Sequence, residues 1–183
     1  MKKSVIALAF LACCAMPFLT AVAQSKLKIV IIRHGEKQDK YENLDCAGLN
    51  RSLKLVSVLY KKIGVPQDIY IPSIGNGVKT THARMFQTIS PFASAYNISI
   101  NSKYSGKDFD NILKDLEKKE GTVLFVWDHE NIASLAKALG IKEKTSWSGS
   151  DFDSVWIISG KKKSRVLQKD REGIIPAKNC GTW

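Results

Sequence analysis

The chain has 183 residues, enough for one ordinary domain and too few for two full cores. With 44% hydrophobic and 25% charged residues, 12 glycines and 5 prolines, it is neither a disordered tail nor a fibrous repeat. A formal charge of +11 favours an anionic partner and says nothing about fold, and four cysteines are too few for a disulfide framework.

Residues 1–23 have the layout of a secretory signal peptide. Lys2 and Lys3 give a basic start, residues 5–19 carry no charge, and Ala21-Val22-Ala23 sets small residues before a cut at Gln24. The apolar run is short for the ~30 Å of a bilayer core. Phe10-Leu11-Ala12-Cys13 is a poor lipoprotein signal. Removing 23 residues leaves 160 in a single domain, residues 24–183, where 26 basic residues face 17 acidic ones for a charge of +9. Two cysteines remain, Cys46 and Cys180; in an oxidising compartment they either pair or stay as buried thiols. The expected mature protein is exported, secreted or periplasmic, with no stable membrane insertion.

Strands and helices then alternate. Leu27-Lys28-Ile29-Val30-Ile31-Ile32 is a nearly continuous apolar run, as in a strand buried on both faces. A helix is predicted over 47–63, its apolar stripe Leu49, Leu53, Val56, Tyr60 and Ile63, stopped by Gly64 and Pro66. Residues 68–74 read as a short strand. After a Gly75-Asn76-Gly77 turn comes a second helix over 81–95, capped by Thr80 or Thr81. Phe109, Ile112, Leu113 and Leu116 mark a third helix, Thr122-Val123-Leu124-Phe125-Val126-Trp127 another buried strand, and Ile132, Leu135, Ala136 and Leu139 a fourth helix beginning near Asn131. A strand over 155–158 follows, with 165–168 as a returning edge hairpin. The pattern predicts an α/β three-layer sandwich, a mostly parallel central sheet with helices on both faces.

In open sheets of this kind, ligands bind beyond the carboxyl ends of the strands. The first strand runs into Arg33-His34-Gly35-Glu36, and the later buried strand into Asp128-His129-Glu130. The second leads to a helix whose first turn carries His82 and Arg84. Guanidinium offers a planar fork to phosphate oxygens. Imidazole attacks phosphorus and is released again. Arg33, Arg84 and His129 are therefore expected around three phosphoryl oxygens, with His34 attacking in line. His82 reads as a surface residue. Trp147, Phe152 and Trp156 read as core, with a pocket rim as the alternative.

At these residues the sequence resembles the histidine phosphatase superfamily, the phosphoglycerate mutase-like family. Ile31-Ile32-Arg33-His34-Gly35-Glu36 is similar to the family's Arg-His-Gly motif after the first strand. Arg84-Met85-Phe86-Gln87-Thr88 resembles its Arg-x-x-x-Thr helix, and residues 123–140 resemble the segment bearing its second histidine. The resemblance spans about residues 27–159. It implies His34 as nucleophile, Arg33 and Arg84 as phosphate-binding groups, His129 as a further catalytic residue, and no metal or cofactor. No short metal-ligand spacing in the sequence suggests zinc.

Two departures from the family pattern bear on substrate. Its general acid is often a glutamate in the segment matching 97–110, which here holds only Asp108 and Asp110. Asp128 is the preferred substitute, with Glu130, Glu36 and Asp108 as alternatives; a helix cap is Asp128's other reading. The short chain also lacks room for the insertions of mutases. The expected activity is therefore phosphate-monoester hydrolysis through phosphohistidine. A silent binder of a phosphorylated ligand and a phosphoglycerate mutase-type phosphotransferase are the alternatives. Lys61-Lys62, Lys118-Lys119 and Lys161-Lys162-Lys163 lack interleaved aromatics, so a small phosphorylated substrate is expected rather than nucleic acid. The pocket rim is expected in segments 37–45 and 96–110.

Overall fold

The computed structural model describes residues 27–75, 81–162 and 164–180; the predicted leader, Thr80 and the Asn76-Gly77 part of the turn lie outside them. Ten elements follow one another: β1 (Lys28–Arg33), α1 (Cys46–Ile63), β2 (Asp68–Tyr70), α2 (Ala83–Tyr96), β3 (Ile100–Asn101), α3 (Phe109–Leu116), β4 (Thr122–Trp127), α4 (His129–Ala138), β5 (Ser154–Ser159) and β6 (Val166–Arg171). The strands form one sheet in the order β3-β2-β4-β1-β5-β6. β1 and β4 pair in parallel at its centre, and β2 and β3 extend the parallel half. β5 and β6 close the other side antiparallel, β6 being the predicted edge hairpin.

Successive strand side chains point to opposite faces, and both faces here are apolar and covered. Val30, Ile32, Leu124 and Val126 meet Leu55 and Leu59 of α1 and Met85, Ile89 and Phe92 of α2. Ile29, Ile31, Val123 and Phe125 meet Ile112 and Leu116 of α3 and Ile132, Leu135 and Ala136 of α4. This is the predicted three-layer arrangement.

The helix α1 differs from its predicted face. Leu53 is 63% exposed and Tyr60 52%, whereas Gly48, Arg51, Ser52, Leu55 and Leu59 turn inward. The inner face is set by a close approach of backbones. A Cβ on Gly35 would stand 3.0 Å from Gly48 Cα, and one on Gly48 would collide with the Glu36 carbonyl oxygen. Only hydrogen at both positions lets the exit of β1 lie against α1. Gly48→Ala gains helix propensity but must displace main chain, so we expect a net loss of about 2 kcal/mol. Urea unfolding would read this as a lower midpoint at unchanged slope.

Other boundaries shift for local reasons. β2 ends at Tyr70 rather than 74, since Pro72 has no N–H to continue a ladder. α2 starts at Ala83 without a side-chain cap, and Thr81 Oγ1 instead accepts from the Gly75 N–H at 2.9 Å. β3 was not foreseen; two residues carry no readable period.

Cys46 and Cys180 form a disulfide, with Cα atoms 4.8 Å apart. It fastens the C-terminal segment along α1. Asn50 Nδ2 donates to the carbonyls of Ala177 and Asn179, each at 2.9 Å, and Lys54 Nζ to that of Ile175 at 2.9 Å. Among the described residues, no helix is long and apolar enough to cross a membrane.

Candidate active site

β1 and β4 are paired in register up to Arg33 and Trp127, so their next residues emerge side by side at the carboxyl edge of the sheet. His34 leaves β1 there, and Asp128-His129 leaves β4. The two segments are tied by the His34 N–H donating to the Trp127 carbonyl at 3.1 Å. α2 brings Arg84 in from the face that also carries α1, and its Thr88 fixes the register. The Gly35 N–H donates to Thr88 Oγ1 at 2.9 Å, whose own hydroxyl donates to the Arg84 carbonyl at 2.6 Å.

His34 is 1% exposed. Its Nδ1 lies 2.7 Å from the Gly35 carbonyl oxygen, which can only accept, so Nδ1 carries the proton and Nε2 keeps its lone pair. The Arg84 Nε–H donates to that lone pair at 3.1 Å. Burial, with the charges of Arg84, Arg33 and His129 added, pulls the His34 imidazole down to about 3. The ring is thus held neutral with its outward nitrogen unprotonated.

That depressed value makes folding pH-dependent. In the unfolded chain the imidazole takes a proton as pH falls below about 6.5; in the native protein it resists until about 3. Stability is therefore lost as pH falls through this window. We expect about 3 kcal/mol of extra loss between pH 7 and pH 4 relative to His34→Ala, read by urea unfolding at both pH values.

Arg33 is 2% exposed. Its Nη1 donates to the carbonyls of Gly149 at 2.7 Å and Asp151 at 3.1 Å, while Phe152 stacks 3.8 Å beneath the guanidinium carbon. Burial and the Arg84 charge bring it down to about 10. One edge is thus committed to the 148–152 loop, and Nε has no partner among the described residues. Phe152, read from sequence as core, is a wall of this site and also meets the His34 ring edge-on at 6.0 Å.

Beside Arg84 opens a cavity of about 290 Å³, lined by Glu42, Thr81, His82, Arg84, Asp128, His129, Glu130 and Asn131. His129 starts α4, and burial and the Arg33 charge hold its imidazole below the ordinary range. Its Nδ1 is buried without a partner among the described residues. Asp128 does cap α4, two residues earlier than predicted: Oδ1 accepts from the Asn131 backbone N–H at 3.0 Å and its side-chain amide at 2.8 Å. The second oxygen, Oδ2, is buried and unpartnered among the described residues.

The structure sorts the other acid candidates. Glu130 lines the cavity. Glu36 is paired with Arg51, whose Nη2 reaches it at 2.8 Å and whose Nη1 reaches the buried Glu172 at 2.5 Å. Asp108 caps no cavity group and accepts from Asn111 at 2.9 Å. Glu42 lies in the segment expected as pocket rim, whereas Thr81, His82 and Asn131 were not predicted at the cavity. Glu42 forms an ion pair with Arg84. His82 lay two positions before Arg84, at a helix start, and that placement was the available signal.

This six-stranded sheet, with two helices on each face, has the fold of histidine phosphatase and phosphoglycerate mutase-like structures. No family model matches the sequence, and no curated protein is similar to it by sequence. The similarity lies in solved structures. A mycobacterial glucosyl-3-phosphoglycerate phosphatase, solved with inorganic phosphate, superposes with a TM-score of 0.58 at 14% identity, over 78% of this chain and 95% of that one. The protein histidine phosphatase SixA, complexed with tungstate, gives 0.55 at 14% identity, over 79% and 97%. The phosphoglycerate mutase of Plasmodium falciparum gives 0.55 at 11%, over 87% and 99%.

Proposed function

We propose that this chain is an exported phosphatase that hydrolyses a phosphate monoester, or a related phosphoryl compound, through a phosphohistidine on His34. The observation that carries the reading is the tautomer of His34: a buried, neutral imidazole whose Nδ1–H is spent on its own backbone and whose Nε2 lone pair faces Arg84. A phosphoryl group entering the cleft takes over the Arg84 guanidinium, which releases Nε2 for attack in line with the leaving oxygen. Arg33 and Arg84 answer charge on the equatorial oxygens, and His129, at the positive end of α4, points a further donor towards them. Asp128 serves the leaving-group side through Oδ2. The reaction so described uses no metal.

Export rests on the leader-like residues 1–23, and the Cys46–Cys180 bond supports an oxidising compartment. The structural neighbours support a phosphatase in general terms; they do not choose the substrate.

The test is a rapid-quench reaction of the mature protein with ³²P-labelled substrates from a phosphorylated-metabolite panel. The expected result is a labelled chain whose label is stable in base and lost in acid, as for an N–P bond. Phosphate binding without any labelling or turnover would replace this reading by that of a silent binding protein.

A further inference from the structure

The cavity holds an imidazole that the proposed reaction has not used. His82 opens α2 with φ of 58°, a left-handed conformation unusual for a residue other than glycine, and makes no capping bond with its side chain. Its Nδ1 lies 2.9 Å from the Ser73 carbonyl oxygen. A carbonyl only accepts, so Nδ1 holds a proton and Nε2 is the nitrogen left for other work. Asp128, a residue 7% exposed, lines the same cavity, and its Oδ2 has no partner among the described residues. The two atoms flank one point: His82 Nε2 and Asp128 Oδ2 each lie 3.9 Å from where a Cβ on Gly106 would be. Gly106 keeps that gap open, and its carbonyl is pinned by the Trp127 indole N–H at 3.1 Å. Arg84 and His129 line the same cavity.

We propose that His82 is the leaving-group acid, its Nε2 sharing the cavity with Asp128 Oδ2. This rests on the phosphatase reading of the site. In the first step the His34 Nε2 lone pair forms the N–P bond as the P–O bond to the leaving alcohol breaks. The bonding pair goes to that oxygen, and the proton on His82 Nε2 goes with it. In the second step water attacks phosphorus, the N–P bond returns its pair to His34, and neutral His82 takes the proton from water. The consequence for substrate is direct: alkyl phosphates, whose leaving oxygen is too basic to depart as an anion, are within reach without a glutamate in the 97–110 segment.

The test compares two esters. p-Nitrophenyl phosphate has a leaving group that needs no proton; glycerol 2-phosphate has one that does. The variant is His82→Asn, whose amide keeps the bond to the Ser73 carbonyl and tolerates the left-handed backbone while removing the acid. We expect kcat/KM for glycerol 2-phosphate to fall about 100-fold. For p-nitrophenyl phosphate it should fall less than about threefold, with the far-ultraviolet circular dichroism unchanged. An equal loss on both esters, no loss on either, or a parent inactive on the alkyl ester would overturn the proposal. His34→Ala run alongside separates the two readings: if it turns over both esters at the parent rate, the phosphohistidine scheme fails whatever His82 does.

Discussion

His34→Ala is expected to hydrolyse p-nitrophenyl phosphate at least about 10⁴-fold more slowly than the parent, with no labelled intermediate accumulating. The size of the effect follows from what is removed. The proposed phosphate-binding groups Arg33, Arg84 and His129 remain in the variant, so on that reading binding of inorganic phosphate should persist with its Kd changed only a few-fold. The lost atom is the unprotonated nitrogen that Arg84 faces, and water cannot take its place with the same alignment. The His34 ring touches Gly35, Arg84 and Phe152 and supports no helix, so the variant should fold. It should even resist acid better than the parent, for the reason given by the depressed imidazole. A variant that binds phosphate and still turns over at the parent rate would leave the covalent scheme without its nucleophile.

Removal of the Cys46–Cys180 bond, by reduction or as the double serine variant, lowers stability by about 5 kcal/mol on the chain-entropy account. The two residues lie 134 positions apart, so the bond closes almost the whole domain into one loop. Cutting it frees the unfolded ensemble far more than the native state. The native cost adds to this. The segment released is the one that Asn50 and Lys54 hold through its carbonyls and that sets Glu172 against Arg51. Glu172 is 4% exposed, and burial pushes its carboxyl up to about 8 even beside that arginine. A strap carrying such a group is poorly held without its fastening. Urea unfolding should show a lower midpoint and a steeper slope, because an uncrosslinked unfolded chain exposes more surface. An unchanged midpoint on reduction would mean that the bond contributes nothing in solution.

What could be read from the sequence follows from what is local. The central strands are continuous apolar runs, and α3 and α4 turn their predicted stripes to the sheet, with Phe109 and Leu113 half-buried at its edge, since the face they share is apolar. Arg33-His34, Arg84 and Asp128-His129 were legible because two sit at the ends of buried strands and the third in a motif with fixed spacing. The inner face of α1 was not. It is built from Gly48, Arg51 and Ser52 near the site, where backbone contact and ion pairing replace apolar packing, and hydrophobic periodicity cannot register them. Glu42 and Phe152 come from loops whose direction no period describes. The cysteine pair was undecided because two thiols give no connectivity to choose between, only proximity, and proximity is set by the whole fold.

The Glu42 carboxylate on Arg84 has a consequence for the end of a turnover. An empty cleft is never a bare cation: a tethered anion, itself 43% exposed and free to swing into solvent, waits beside the guanidinium. Because it is attached, it competes at an effective concentration in the millimolar range. In the proposed phosphatase reaction, freshly made orthophosphate would contend with that resident rival for the same fork, which favours shedding of the product.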